Sequence, residues 1–137
     1  MKSLVSFFIG FSLLFSISGC QSEGQKPNKT TCGYFKIGTF KYAGSEDIRI
    51  ERTASSQIEY NLNGDGGYIY TDRYHIEWTD DCEYYLTLES TDHPNDLDFS
   101  ENDTMWVKIN EVSRTAYSFT AIKGAETFTG ELKKTDS

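Results

Sequence analysis

Side-chain oxygens recur at alternate positions from Asn61 to Asp65, next to glycines that permit a sharp turn. The carboxylate of Asp72 stands twelfth when the count begins at Asn61. Hard cations prefer several oxygen ligands around such a turn, so the spacing resembles a calcium-binding loop. Its candidate ligands are Asn61, Asn63, Asp65 and Asp72. The pattern departs from a calcium loop in having Asn at the first place, Asp rather than Glu at the twelfth, and strands on both sides, so a glycine-rich hairpin turn at residues 63–67 (NGDGG) is the favoured interpretation.

A second acidic group lies in the connection 90–104, the longest that the turn signals leave. It lacks regular spacing and a glycine, so a solvated loop explains it more simply than a cation site. Its carboxylates are Asp92, Asp96, Asp98, Glu101 and Asp103.

Residues that assemble into catalytic centres are scarce. The only histidines are His75 and His93, too few for the usual zinc sites. No motif of a serine hydrolase, a zinc peptidase or a phosphate-binding loop occurs, and abundant carboxylates single out no pair for glycoside hydrolysis. We therefore expect that the protein is not an enzyme and holds no cofactor.

Aromatic residues crowd the middle of the chain, where they either fill a core or form a surface that contacts sugars or proteins. Strand parity assigns Trp78 and Tyr84 to the core. It assigns Tyr85 to the outer face that also carries Glu83 and Thr87. Tyr85 is therefore a candidate contact for a protein or glycan partner whose identity the sequence leaves open.

The first twenty residues have the pattern of a lipoprotein signal. Lys2 precedes an apolar run that ends in Ser18-Gly19-Cys20. This resembles the lipobox, whose cysteine is acylated and becomes the first residue of the mature protein. We expect a signal peptide at 1–19, lipidation of Cys20, and a location at the cell outer membrane or the cell surface, where acyl chains hold the protein to the membrane.

Removal of residues 1–19 leaves 137 − 19 = 118 residues, enough for one domain. Only Lys2 among the charged residues is lost, so 12 basic residues face 21 acidic ones and the net charge is −9. Nucleic acid is an unsuitable partner, because its affinity for proteins comes largely from Lys and Arg. Residues 20–31 are polar and predict a flexible tether, and residues 32–137 form the folded domain.

Lipidation of Cys20 leaves Cys32 and Cys82 as an even pair in a compartment where disulfides persist. A bridge between them is the favoured interpretation. Two buried free thiols are the alternative, because the flanking strands could hold the cysteines apart.

From Cys32 onward, apolar and polar residues alternate with period two between turn signals, which predicts an all-β domain. In one clear alternation Ile58, Tyr60 and Leu62 form the core face, with Gln57, Glu59 and Asn61 in solvent. Another alternation places Tyr84, Leu86 and Leu88 in the core. We expect an antiparallel meander that closes into a small lipocalin-like barrel or curls strongly, with a two-sheet sandwich as the alternative. The predicted strands are 33–42, 48–53, 57–62, 68–78, 83–89, 105–112, 115–122 and 127–133.

Segments 32–40 (CGYFKIGTF), 50–53 (IERT), 57–59 (QIE) and 76–84 (IEWTDDCEY) resemble a group of short Bacteroidota lipoproteins. The resemblance implies a small β domain of unestablished function, and it strengthens the pairing of Cys32 with Cys82. Some similar chains carry a DNA topoisomerase IV label, which an exported, acidic and short chain does not support.

Residues 113–117 (SRTAY) and 123–124 (KG) resemble the membrane-bound inhibitors of animal-type lysozyme, which are disulfide-bearing β-barrel lipoproteins. The resemblance implies that Ser113 and Tyr117 contact the lysozyme, although Arg114 stands where the motif has glycine. Residues 103–105 (DTM) resemble the O-glycan acceptor motif of Bacteroidota, with Thr104 as the attachment residue.

Overall fold

A computed structural model describes residues 31–94 and 103–136 of the chain. Eight antiparallel strands follow one another in chain order, and β1 pairs with β8, so the sheet closes into a barrel. The prediction of an all-β meander of about eight strands is confirmed, with a barrel as the form adopted. The elements are the 3-10 helix η1 (Cys32–Phe35) and the strands β1 (Gly38–Tyr42), β2 (Ile48–Arg52), β3 (Ser56–Leu62), β4 (Tyr68–Trp78), β5 (Glu83–Thr91), β6 (Thr104–Val112), β7 (Ala116–Lys123) and β8 (Glu126–Lys134).

The first strand begins later than its sequence suggested, because residues 32–35 form η1 instead. Residues three apart eclipse each other on a 3-10 helix, so Cys32 and Phe35 face the same side. Both are buried there, and this arrangement explains why the segment is not extended. The prediction of a strand over 33–37 was wrong for this reason.

One end of the barrel is closed by η1. The ring of Phe35 is fully buried and lies 5.1 Å from the ring of Tyr117. The turns 53–55, 79–82 and 113–115 belong to this end, which we call the closed end. A disulfide joins Cys32 of η1 to Cys82 in the β4–β5 turn, with an S–S distance of 2.01 Å. The predicted disulfide is confirmed.

The strand registers show which side chains point into the barrel. The prediction for β5 is confirmed, since Tyr84, Leu86 and Leu88 are buried. The core is completed by apolar side chains of the remaining strands, among them Phe40, Ile50, Ile76, Val107, Ile109, Phe119, Ala121 and Leu132.

The prediction for β3 was wrong, because the strand faces the other way. Glu59 stands opposite Ile50, and Gln57 stands opposite Arg52. Directly opposed residues of antiparallel strands share a face, and Ile50 is fully buried, so Gln57, Glu59 and Asn61 point inward. Ile58 and Tyr60 therefore belong to the outer face.

Close packing in the interior requires a glycine on β8. Gly130 stands opposite Phe119, and a Cβ atom at Gly130 would lie 2.9 Å from the Phe119 ring. The absent side chain lets the phenyl ring lie against the β8 backbone.

The other end of the barrel, which we call the open end, carries the turns 43–47, 63–67 and 124–125 and the connection from β5 to β6. In the parts of the chain described, 31–94 and 103–136, no helix is long and apolar enough to cross a membrane.

Candidate functional site

A buried arginine organises the polar part of the interior. The Arg52 guanidinium donates hydrogen bonds to the Phe35 carbonyl at 3.0 Å and to the hydroxyls of Tyr84 and Tyr117 at 3.1 and 2.9 Å. Burial opposes the charge, but the two phenols offset this and raise the pKa of Arg52 above its ordinary value. Arg52 therefore remains a buried cation inside the barrel.

A hydrogen-bonded chain leads from Arg52 toward the open end. Arg52 Nε donates to Gln57 Oε1 at 2.8 Å, and Gln57 Nε2 donates to Glu59 Oε1 at 2.7 Å. The amide of Gln57 thus connects the guanidinium with the carboxylate, and its two partners fix its orientation.

Glu59 and Asp72 occupy directly opposed positions on β3 and β4. Burial raises the pKa of the Glu59 carboxyl to about 7, and the nearby negative charge of Asp72 adds to the rise. The hydrogen bond from Gln57 and the charge of Arg52 act in the opposite direction. Asp72 in turn accepts a hydrogen bond from the Thr91 hydroxyl at 2.6 Å.

Tyr42 joins this group from β1. It shares the inner face with Phe40 and stands opposite the buried Leu132. The negative charge of Glu59, followed by burial, raises the pKa of the Tyr42 phenol. Tyr42 therefore stays protonated and can donate a hydrogen bond.

Inward-facing side chains of the open half remain partly exposed, in contrast to those of the closed half. Phe128 is the clearest example of such partial exposure. It stands opposite the buried Ala121 and so points inward, yet it is 46% exposed. We call this open half of the interior the cup. It is lined by Tyr42, Ile48, Glu59, Asn61, Tyr70, Asp72, Met105 and Phe128.

The cup has two chemically different walls. Glu59, Asn61 and Asp72 on β3 and β4 form a polar wall. Met105 and Phe128 on β6 and β8 form an apolar wall. Interiors of eight-stranded barrels are just wide enough to be filled by side chains or to hold one small ligand.

The residues of the predicted calcium loop do not share one place. Asn61 and Asp72 line the cup, whereas Asn63 and Asp65 lie in the exposed β3–β4 turn. Asn63 Oδ1 accepts hydrogen bonds from the amides of Asp65 and Gly67 at 3.1 and 2.7 Å, as in a hairpin turn. Within residues 31–94 and 103–136, no group of three His, Cys, Asp or Glu side chains is arranged to hold a metal ion.

Tyr85 lies on the outer face and is 39% exposed. Tyr85 stands opposite Trp106, and Trp106 stands opposite Ile122, so the three side chains form a row across β5, β6 and β7. We call these three residues the outer row. The alternation of residues along β5 predicted that Tyr85 is exposed. Its neighbours Trp106 and Ile122 depend on strand registers that the sequence alone does not provide.

The two residues of the lysozyme-inhibitor resemblance have structural partners. Tyr117 is 1% exposed and its hydroxyl bonds to Arg52, so it does not form part of the surface. Ser113 Oγ bonds to the carbonyl and the amide of Ala116 across the β6–β7 turn. This arrangement gives no support to a contact with lysozyme through Tyr117.

Other sequence-predicted residues fall at the open end or outside the description. Thr104 is exposed at the start of β6, and its hydroxyl lies 3.1 Å from that of Thr87. In the acidic connection, Asp92 accepts hydrogen bonds from the Tyr68 hydroxyl and the Thr71 amide, which lower its pKa. Asp103 pairs with Lys123 at 3.4 Å. Cys20 and the acidic residues Asp96, Asp98 and Glu101 lie outside the described residues.

Arg52, Gln57 and Glu59 were not identified as site residues from the sequence. The length of the β2–β3 hairpin could have identified them. Its short connection 53–55 places Arg52 opposite Gln57 and Ile50 opposite Glu59. Apolar β2 positions and polar β3 positions must then share one face, so one of the two strands has polar residues inside.

No protein-family model matches the chain, and no curated protein matches it. It is similar to an uncharacterized protein from Bacteroides eggerthii DSM 20697, whose crystal structure was determined at 2.60 Å resolution. The two are 14% identical with a TM-score of 0.48, and the match covers 73% of this chain and 99% of the other.

Proposed function

We propose that the protein is a lipoprotein of the cell envelope, held to the outer membrane by acyl chains on Cys20, and that its barrel binds a small molecule in the cup without catalysing a reaction. Lipid attachment rests on the signal-like first twenty residues. Binding rests on the geometry of the open half.

The observation that carries the proposal is the partly exposed, chemically mixed lining of the cup. Phe128 points inward and is 46% exposed, and the inward-facing Glu59 and Asp72 lie on the opposite wall. A barrel stabilised only by its core would bury the inward-facing side chains of this half as completely as Phe35, Tyr84 and Tyr117 are buried toward the closed end. Concave sites with an apolar lining and a few polar groups are typical of small-molecule binding.

The direction of the chain agrees with such a role. The chain enters the barrel at η1, on the closed end, so a tether at residues 20–31 would attach there. The cup then opens at the end opposite the point of attachment, where a ligand can reach it.

The test is a titration of the unlipidated mature chain, carrying Cys20→Ser, with the neutral fluorescent probe N-phenyl-1-naphthylamine. We expect saturable enhancement of fluorescence with one site per chain. Phe128→Glu should weaken binding of the probe at least tenfold, because the substitution places a charge on the apolar wall. The matched control is Ile69→Glu, an exposed apolar position on β4.

Absence of saturable binding would overturn the proposal. Equal weakening by Phe128→Glu and Ile69→Glu would do the same, because the probe would then bind outside the cup.

A second candidate function uses the outer row, as a contact for a glycan or protein partner. Exposed aromatic rings stack on sugars and are enriched in protein interfaces. Tyr85→Ala should abolish retention of the protein on immobilised cell-wall or surface glycans if this row is the contact, while Phe128→Glu should leave it unchanged. Retention of Tyr85→Ala at the wild-type level would count against the second candidate.

A further inference from the structure

We infer that the anchored barrel docks on the lipid bilayer through its closed end, with the side chains of Tyr34 and Ile37 inserted among the lipid headgroups. This inference rests on the proposed function for the lipid anchor at Cys20, and it adds the protein surface that meets the membrane.

Two large apolar side chains are exposed at the closed end. Tyr34 and Ile37 are 42% and 56% exposed. Lys36 continues the helical conformation of η1, with φ −70° and ψ −27°, so residues three apart stay on one side. Cys32 and Phe35 occupy the buried side. Tyr34 and Ile37 therefore share the side toward solvent, which we call the η1 face.

Strand β8 holds the η1 face in place. Lys134 Nζ donates hydrogen bonds to the carbonyls of Tyr34 and Ile37 at 2.9 and 2.8 Å, and it lies 4.1 Å from the centre of the Tyr34 ring. The disulfide of Cys32 fastens the same turn to the β4–β5 connection. Because the backbone is already fixed, little conformational entropy is lost when the two side chains are buried by a partner.

The residue types around the η1 face suit the boundary between lipid and water. Tyrosine is enriched at this boundary, because its ring is apolar and its hydroxyl is polar. Lys36 lies between the two apolar residues and forms an exposed ion pair with Asp81 at 3.4 Å, a partner that a lipid phosphate can replace. Arg114 is exposed in the turn 113–115 of the same end.

The proposed anchor places the η1 face close to the bilayer. Thr31 directly precedes η1, and it follows Cys20 by 31 − 20 = 11 residues. A flexible chain of this length spans about 17–20 Å. Such a tether gives the face a high local concentration at the membrane, so a contact too small to bind the free protein is sufficient once the anchor is in place.

Charge favours the closed end over the open end. Many bilayers carry anionic lipids, whose negative surface potential repels carboxylates. At the closed end the segments outside the strands combine both signs, in Lys36, Arg114, Asp80, Asp81 and Asp136. At the open end the described segments outside the strands carry carboxylates without Lys or Arg, namely Glu46, Asp47, Asp65, Asp92 and Asp103.

The open end also exposes an apolar pair, Tyr68 and Ile69, at 55% and 54%. The hydroxyl of Tyr68 donates to the carboxylate of Asp92, so this pair is bordered by negative charge. It therefore suits an anionic bilayer less well than the η1 face and provides a matched control.

The test couples the mature chain to nanodiscs through Cys20, the one thiol left when Cys32 and Cys82 form their disulfide. The discs contain phosphatidylcholine, phosphatidylglycerol, a maleimide lipid that captures the thiol, and a gadolinium-chelating lipid that weakens the NMR signals of nearby amides. We expect the amides of Tyr34 and Ile37 to lose about threefold more signal than those of Gly66 and Gly124 at the open end, because docking holds η1 at the headgroups.

The tether alone brings η1 somewhat nearer to the bilayer, so the deciding comparison is with a variant of the η1 face. Tyr34→Ser/Ile37→Ser should remove at least about half of the difference between the two ends, because it removes the apolar contact. Ile69→Ser, which truncates an equally exposed isoleucine at the open end, should leave the difference unchanged. Amide spectra of the uncoupled variants verify that both are folded.

An unchanged difference in Tyr34→Ser/Ile37→Ser would overturn the inference, because the tether would then account for it. Equal signal loss at both ends of the wild-type barrel would also overturn it. The maleimide lipid supplies the anchor in every case, so these outcomes leave lipidation of Cys20 and ligand binding in the cup to their own tests.

Discussion

At the scale of single residues, the interior contains a cation, Arg52, and a carboxyl group, Glu59, that differ in their number of hydrogen-bond partners. Arg52 is surrounded by acceptors, whereas Glu59 receives one hydrogen bond and faces Asp72. Desolvation and the nearby charge of Asp72 disfavour the ionised form of Glu59 and raise its pKa. Ionisation of Glu59 is therefore expected to lower the stability of the fold.

The pH dependence of stability measures this cost. The pKa of Glu59 is about 7 in the fold, against an ordinary value of 4.5. Between these values the folded protein retains a proton that the unfolded chain has released, so the contribution of Glu59 to stability falls as pH rises from about 5 to 7, by roughly 3 kcal/mol in all.

Urea denaturation of Glu59→Gln across pH 5 to 8 should therefore show a smaller decline than the wild type, and a higher stability at pH 8. Glu77→Gln should retain the wild-type decline. A decline of full size in Glu59→Gln would mean that another group titrates.

Replacement of Arg52 tests the other charge. Arg52→Met leaves Gln57 and the Phe35 carbonyl without their donor, so we expect a loss of about 3–5 kcal/mol in the free energy of unfolding. The control Arg49→Met removes an exposed guanidinium 3.4 Å from Glu51 and should cost less than about 1 kcal/mol. Comparable losses in chemical denaturation of the two variants would contradict the role assigned to Arg52.

At the scale of elements, the strands and their order follow from alternation and turn residues. β4 has the predicted bounds of 68–78, because Gly67 precedes it and its alternating residues are long and mostly apolar or aromatic. Alternation failed for β3, since it assumes that polar residues face water. In a small barrel with a polar cup, the register imposed by a short hairpin outweighs that rule.

The structure of the closed end could be predicted only in part from the sequence. Cys32 and Cys82 could be paired by counting cysteines, but the 3-10 turn of η1 and the burial of Phe35 arise from packing across the barrel end. The cup could not be predicted from the sequence either. Glu59, Asp72 and Phe128 share the inner face only because of the strand registers, which the sequence does not show.

The disulfide fastens η1 over the closed end, so its removal should destabilise the domain. A loop of 50 residues corresponds to about 4 kcal/mol of chain entropy. We expect the double variant Cys32→Ser/Cys82→Ser to lose about this amount in urea denaturation under oxidising conditions. Under reducing conditions the wild type should approach the variant. A loss below about 1 kcal/mol would show that η1 stays docked without the bridge.

At the scale of the whole molecule, the barrel has two unlike ends. The closed end carries η1 and the disulfide, and the open end carries the cup. Under the proposed function, the tether joins the closed end and the cup opens at the opposite end.

Lipid attachment is tested by growth with an alkyne analogue of palmitate, followed by coupling of a fluorophore to the purified protein. Cys20→Ala should remove the label completely, since Cys20 is the acceptor under the proposed function. Cys32→Ser/Cys82→Ser should retain the label at Cys20. Label on the Cys20→Ala protein would contradict anchoring at this residue.

The central claim, that ligand binds inside the open half of the barrel, is tested most directly by Met105. The chain has two methionines, and Met105 is the one that lies outside the proposed signal peptide 1–19. A ¹³C-methyl methionine label then gives a single NMR resonance from within the cup. On titration with N-phenyl-1-naphthylamine, we expect this resonance to shift in a saturable manner while the Trp106 indole N–H on the outer row stays in place. A stationary Met105 resonance with a moving Trp106 signal would contradict the account.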